Sequence, residues 1–138
     1  MKQPGKRNGP QAGFRVSTCG VVLEINFYNF INIIYMYIDR IPASRFTLKK
    51  FRKSKTRGKK YDAIIIDIKT RKEYIVPFGD VRYEQYRDTT GLGLYRQLDH
   101  GDRKRRENYL KRHENTRKKK WSASWFSAVF LWSAPRGD

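Results

Sequence analysis

Cysteine is almost absent from this chain. Cys19 stands alone, which excludes an intrachain disulfide and a cysteine-rich zinc site. A lone thiol fits a reducing compartment. Acids are scarce as well, 13 Asp+Glu against 31 Lys+Arg, for a formal net charge of +18. Self-repulsion at that density opposes compaction, so a polyanion or an acidic protein surface is the expected counterweight. Histidine occurs only at His100 and His113. The Gly91-Leu92-Gly93 triplet lacks the spacing of a phosphate-binding glycine loop, and no serine, cysteine or lysine sits in a recognised nucleophile motif. With 138 residues the chain is one domain with tails, or a small domain plus an appended segment, and its core must be compact.

Long apolar runs are also few. The main one, VVLEINFYNFINIIYMYI at Val21–Ile38, follows twenty residues rich in glycine, proline and basic side chains that are predicted to be disordered on their own. Its length would allow a membrane helix, but Glu24, Asn26, Asn29 and Asn32 are costly in hydrocarbon. Its β-branched and aromatic content suits strands. Lys2, Lys6 and Arg7 precede it as in a signal peptide, yet no clean small-x-small site follows. Translation from Met36 is an alternative reading of this end. The expected division is an N-terminal arm with an apolar segment, 1–44, and a small basic domain, 45–138.

What the chain has in quantity is cation. Residues 45–60, RFTLKKFRKSKTRGKK, hold nine basic residues and no acid. Arg45, Lys49, Lys50, Arg52, Lys53, Lys55 and Arg57 are therefore candidates for contact with a polyanion or acidic partner. YDAIIIDIKT and KEYIVPFGD then predict a β-hairpin, Tyr61–Ile68 with Glu73–Val76, stopped by Pro77 and turned at Gly79. Gly91 and Gly93 predict a loop, and Leu94 with Leu98 a helical turn after it.

LDHGDRKRRENYLKRH, Leu98 to His113, predicts a helix over 99–113. Asp99 or Asp102 would be its N-cap, Lys111, Arg112 and His113 would face its C-terminal dipole, and Glu107 would pair with Lys111. Tyr109 and Leu110 are its apolar anchors. Arg103, Lys104, Arg105, Arg106, Lys111 and Arg112 form a second basic surface. Asp99, His100 and Asp102, with His113 nearby, could instead hold a divalent metal beside a basic cleft, as a nuclease needs. The capping roles already account for these residues, so no catalytic residue, metal or cofactor is expected. A charged linker, 114–120, leads to WSASWFSAVFLWS, predicted as an aromatic helix over 122–132 capped by Ser122 or Ser124. Trp121, Trp125, Phe126, Phe130 and Trp132, with Tyr83, Tyr86 and Tyr109, either close the core or dock on a partner. A small domain needs its apolar side chains, so the core is favoured.

FGD at 78–80, RYEQYRD at 82–88, LY at 94–95, LDHGDRKRRENYLKRH at 98–113 and WFSAVFLW at 125–132 resemble a family of small basic proteins encoded by large DNA viruses of eukaryotes, algal and amoebal viruses among them. The resemblance runs from Arg45 to Trp132 and carries no catalytic residues. It implies a virion setting, in the capsid or on its inner surface, with assembly in the host cytoplasm. The expected function is a non-enzymatic minor capsid or cement protein. It would bind other capsid proteins through its arm and aromatic patches and turn a basic face toward acidic partners or the genome. The alternative is sequence-independent binding and condensation of viral DNA. The expected architecture is α+β: a small antiparallel sheet around the 61–76 hairpin, the basic helix, the aromatic helix and an extended N-terminal arm.

Overall fold

In a computed structural model of the chain, the described residues are the strands β1 (Gly13–Thr18) and β2 (Val21–Asn26) and then residues 38–137. The chain divides into two units, Met1–Ile41 and Pro42–Asp138. In the first, β1 and β2 pair antiparallel, from Gly13 opposite Asn26 to Thr18 opposite Val21. Gly13–Thr18, expected to be disordered on their own, thus form a strand, and the other residues of the first twenty lie outside the described residues. The strand reading of the apolar run holds for Val21–Asn26, and residues 27–37 lie outside the described residues. No helix among the described residues is long and apolar enough to cross a membrane.

The second unit is α+β. Its antiparallel sheet has the order β3 (Phe46–Lys53), β4 (Lys59–Asp67), β5 (Glu73–Asp80). The basic stretch 45–60 thus supplies a whole strand and part of the next, because Phe46, Leu48 and Phe51 alternate among its cations. A register shift between Leu48 and Lys50 bulges the edge. Lying between two neighbours, β4 is buried from Lys60 to Ile65. Pro77 does not stop the hairpin. It sits inside β5 opposite Asp62, where an edge strand tolerates a residue without an N–H. Gly79 is likewise within β5, at φ 72°. Asp67 shapes the β4–β5 turn, its Oδ1 accepting the Lys69 and Thr70 N–H groups at 2.9 and 3.3 Å.

The basic helix is α1 (Arg103–Arg112), four residues shorter at its start than expected. Asp102 is the N-cap, accepting the Arg105 N–H at 3.1 Å, while Gly101 at φ 64° breaks the chain from the 3-10 turn Arg96–Leu98. Lys104 rather than Lys111 approaches Glu107, at 3.8 Å. The linker contains one helical turn, α2 (Glu114–Arg117), followed by α3 (Ala123–Phe130). Ser122 caps α3 through the Trp125 N–H at 3.1 Å. From α3, Trp125, Phe126, Val129 and Phe130 are buried. Phe78 stacks on Phe126 with ring centres 5.4 Å apart, and Phe51 meets Phe130 at 4.7 Å. Each such ring removed from water stabilises the fold by about 1.5–3 kcal/mol. Thr89 and Arg87 close the far end of α3, their N–H groups donating to the carbonyls of Phe130 and Leu131 at 2.9 and 3.0 Å.

Candidate functional site

A lysine on the central strand starts a buried polar chain. Lys60 is 1% exposed, and its Nζ donates to the Tyr83 carbonyl at 2.7 Å and to Gln85 Oε1 at 2.6 Å. Gln85 is fully buried and donates through Nε2 to the Tyr95 carbonyl at 2.9 Å and to Asp99 Oδ1 at 2.7 Å. The same Asp99 oxygen accepts the Asp88 N–H at 2.9 Å. Tyr61 donates its hydroxyl proton to Asp88 and accepts the Leu94 N–H at 3.0 Å. Burial pulls the Lys60 pKa down, opposed by Asp80, Asp88 and Asp99. Burial and the Asp88 bond push Tyr61 up to about 12. Two hydrogen bonds to neutral oxygens and the longer-range attraction of three carboxylates offset the cost of burying this group. This network ties the 81–102 loop to β4.

Both histidines belong to an aromatic column. His100 lies between Tyr86, 6.2 Å away, and Trp132, 5.3 Å away. Trp132 stacks flat on Tyr109 at 4.0 Å, and Tyr109 meets His113 at 4.4 Å. Burial lowers both imidazole pKa values, with Arg105 adding to the effect at His100 and Arg112 at His113. His100 Nδ1 accepts the Asp102 N–H at 2.9 Å, so the ring proton of the neutral form sits on Nε2, which is buried without a partner. Asp99, His100 and Asp102, weighed above as metal ligands, therefore serve three separate tasks. Among the described residues no group of three or more His, Cys, Asp or Glu is placed to hold a metal.

Beside the column lies an open groove of about 990 Å³. One wall is α1, which presents Arg105, Asn108, Tyr109 and Arg112 at i, i+3, i+4 and i+7, one helical face. The opposite wall is Lys59, Lys60, Asp80, Tyr83, Glu84 and Gln85. Phe78, Gly79, Leu131 and Trp132 also line it, with Ser124 and Ser127 from α3. Arg105 donates to Glu84 at 2.7 Å, joining the two walls. Arg82 holds the Asp80 carboxyl down at about 2, and Arg105 lowers Glu84. Both acids of the groove are thus ionised and already engaged.

The candidate cations fall into two classes. Arg45 pairs with Asp67, Lys49 with Glu73 and Arg52 with Asp62 across the sheet, so the stretch without acids is partly neutralised by its neighbours. Arg106 turns inward, donating to the carbonyls of Trp132 and Ser133 at 2.9 and 2.7 Å beneath the Tyr86 ring. Among the described residues, the side chains of Lys50, Lys53, Lys55, Arg57, Lys59, Arg103, Lys111 and Arg112 make no ion pair or hydrogen bond. Of the candidate aromatics, Trp121, Trp125, Phe126 and Phe130 are buried and Tyr86, Tyr109 and Trp132 are half-buried, while Tyr83 stays 63% exposed.

Sequence reasoning missed Lys59, Lys60, Gln85 and Asn108 as members of a site. The helical spacing of Arg105, Asn108, Tyr109 and Arg112 was the available signal for the last. Nothing local marks Lys60 as buried, since its partners lie 23 and 25 residues away. No family model, no curated protein and no solved structure matches the chain.

Proposed function

We propose that the protein is a non-enzymatic, sequence-independent nucleic-acid-binding protein, in the virion setting that the resemblance implies. One observation carries this reading: the fold leaves a set of cations unspent. Lys53, Lys55 and Arg57 on β3 and its turn, and Arg103, Lys111 and Arg112 on α1, make no ion pair among the described residues, and Lys50 acts on Glu73 only at longer range. Phosphates neutralise such groups, and the released counterions drive binding without reference to sequence. The capsid reading loses weight because its C-terminal anchors, Trp121, Trp125, Phe126 and Phe130, are buried in the domain's own core. Exposed Val81, Tyr83, Leu92 and Leu94 on the long loop keep it as the second reading.

The test separates paired from unpaired cations. Duplex DNA of two unrelated sequences is titrated at several salt concentrations. The wild type should bind both alike, with affinity falling steeply as salt rises. K53A/K55A/R57A should flatten the plot of log affinity against log salt by about 0.9 for each phosphate no longer neutralised, with stability nearly unchanged. R45A/R52A should do the reverse, losing stability with a smaller change in slope. Strong preference for one sequence, or indifference to salt, would refute the proposal.

A further inference from the structure

We infer that the groove beside α1 accommodates an unpaired nucleobase, so that the protein prefers single-stranded over duplex nucleic acid. This rests on the nucleic-acid reading above and specifies its ligand. The unspent cations explain attraction to any phosphate backbone, but not a recess lined by aromatic rings. Tyr109 and Trp132, stacked on each other at 4.0 Å, both line the groove and stay half-buried, so part of their aromatic surface is open to a ligand. A phosphate gains nothing from such a surface, whereas the flat apolar face of a base does.

The polar groups around those rings suit a nucleotide. On one wall Arg112 has no ion pair among the described residues, and across the groove Lys59 makes no close ion pair, though it lies opposite Asp80 in the sheet. These two are placed for the phosphates on either side of an inserted base. Asn108 sits between Arg105 and Arg112 on the same helical face, and its exposed amide has no hydrogen bond among the described residues. It offers a donor and an acceptor to a base edge. Asp80 and Glu84, held ionised by Arg82 and Arg105, can accept from a base amino group. Tyr83 carries the Arg82 guanidinium 5.3 Å from its ring centre, while most of the side chain remains exposed as a stacking surface. Bases inside a duplex cannot enter such a recess without being flipped out, so unpaired strands are the natural ligand.

The lining also limits what the chain tolerates there. A Cβ on Gly79 would lie 2.9 Å from Leu131 Cδ1 and 3.2 Å from Lys60 Cβ, so the groove wall approaches α3 as closely as a glycine permits.

The experiment uses the full chain with a single-stranded oligonucleotide carrying one 2-aminopurine and with the duplex of the same sequence, at matched moderate salt. Affinity for the single strand should exceed that for the duplex by about tenfold, with quenching of the 2-aminopurine emission. N108W, which fills the groove from an exposed helix position, should abolish quenching and reduce the preference to within about twofold, leaving duplex affinity unchanged. N108A, which cannot block the groove or strain the helix, should lower single-strand affinity alone, and so covers the case in which N108W misfolds. Equal binding of both ligands without quenching would overturn the groove inference and leave the general proposal standing. Absence of binding to either ligand at low salt would overturn both.

Discussion

Replacing Asp99 by alanine tests how the long loop is held. One carboxylate oxygen accepts two hydrogen bonds there, from Gln85 Nε2 at 2.7 Å and from the Asp88 N–H at 2.9 Å. A hydrogen bond to an ionised acceptor contributes about 1.5–3 kcal/mol. Asp99 is half-buried, so water replaces part of what is lost, and the lower end of the range applies. Two bonds then give about 3 kcal/mol for D99A. Asp102→Ala is the control, because the two acids looked equally suited to cap the helix. It removes one exposed cap bond to the Arg105 N–H and should cost about 1 kcal/mol. Urea unfolding followed by the fluorescence of Trp121, Trp125 and Trp132 reads both. With a slope of about 2 kcal/mol per molar, D99A should move the midpoint down by about 1.5 M and D102A by about 0.5 M. A D99A shift equal to or smaller than that of D102A would refute the role of Asp99 as the hub of the loop.

Gly79→Ala adds a side chain at φ 72° against Leu131 and Lys60, and should cost about 1–3 kcal/mol in the same assay. A neutral result would mean that the approach of β5 to α3 is slack. The pH profile should have two limbs. His100 and His113 have lowered folded pKa values, so the unfolded chain binds more protons, and stability falls as the pH drops below about 6.5. Burial pushes Asp67 up, but the Arg45 guanidinium and the Lys69 and Thr70 amides outweigh it and hold its carboxyl at about 2. Asp80 sits at about 2 through Arg82. Their contribution is complete above about pH 4 and is lost as the pH falls toward 2. Urea midpoints from pH 8 to 2 should show both limbs, H100N/H113N should remove the earlier one, and a profile unchanged by that pair would refute the assignment.

What could be read from the sequence was whatever local pattern decides. The β-branched run around Ala63–Ile65 and the polar turn after it located the hairpin, and the Ser122 cap with its aromatic spacing located α3. The hairpin's length was misjudged at Pro77, because whether proline ends a strand depends on that strand being an edge, which is a property of the whole sheet. The helix start was misjudged at Asp99 because its carboxylate is drawn to Gln85 and Asp88, 14 and 11 residues upstream. The same limit hid the groove. One wall is periodic and legible on α1, whereas the other is assembled from β4, β5 and the loop by contacts that no spacing encodes.

The scarcity of acids takes on a structural meaning once each is placed. From Asp62 to Glu114 every carboxylate has a partner. Asp62, Asp67, Glu73, Asp80, Glu84, Glu107 and Glu114 lie against lysine or arginine, and Asp88, Asp99 and Asp102 accept from tyrosine, glutamine, threonine or backbone N–H groups. Several of them organise turns or the buried network and so cannot be released to neutralise the surface. Adding acids elsewhere would improve the fold's own electrostatics, because a compact chain at this net charge repels itself. The surplus cations on β3, its turn and α1 therefore act against stability within the domain. An anionic ligand that binds only the folded form reverses their effect, stabilising the fold by an amount that grows with ligand concentration. The domain should accordingly unfold at higher urea in the presence of a short single-stranded oligonucleotide. That gain should shrink with added salt and should be larger for the wild type than for K53A/K55A/R57A. An equal gain in the two proteins would place the binding charge elsewhere on the chain.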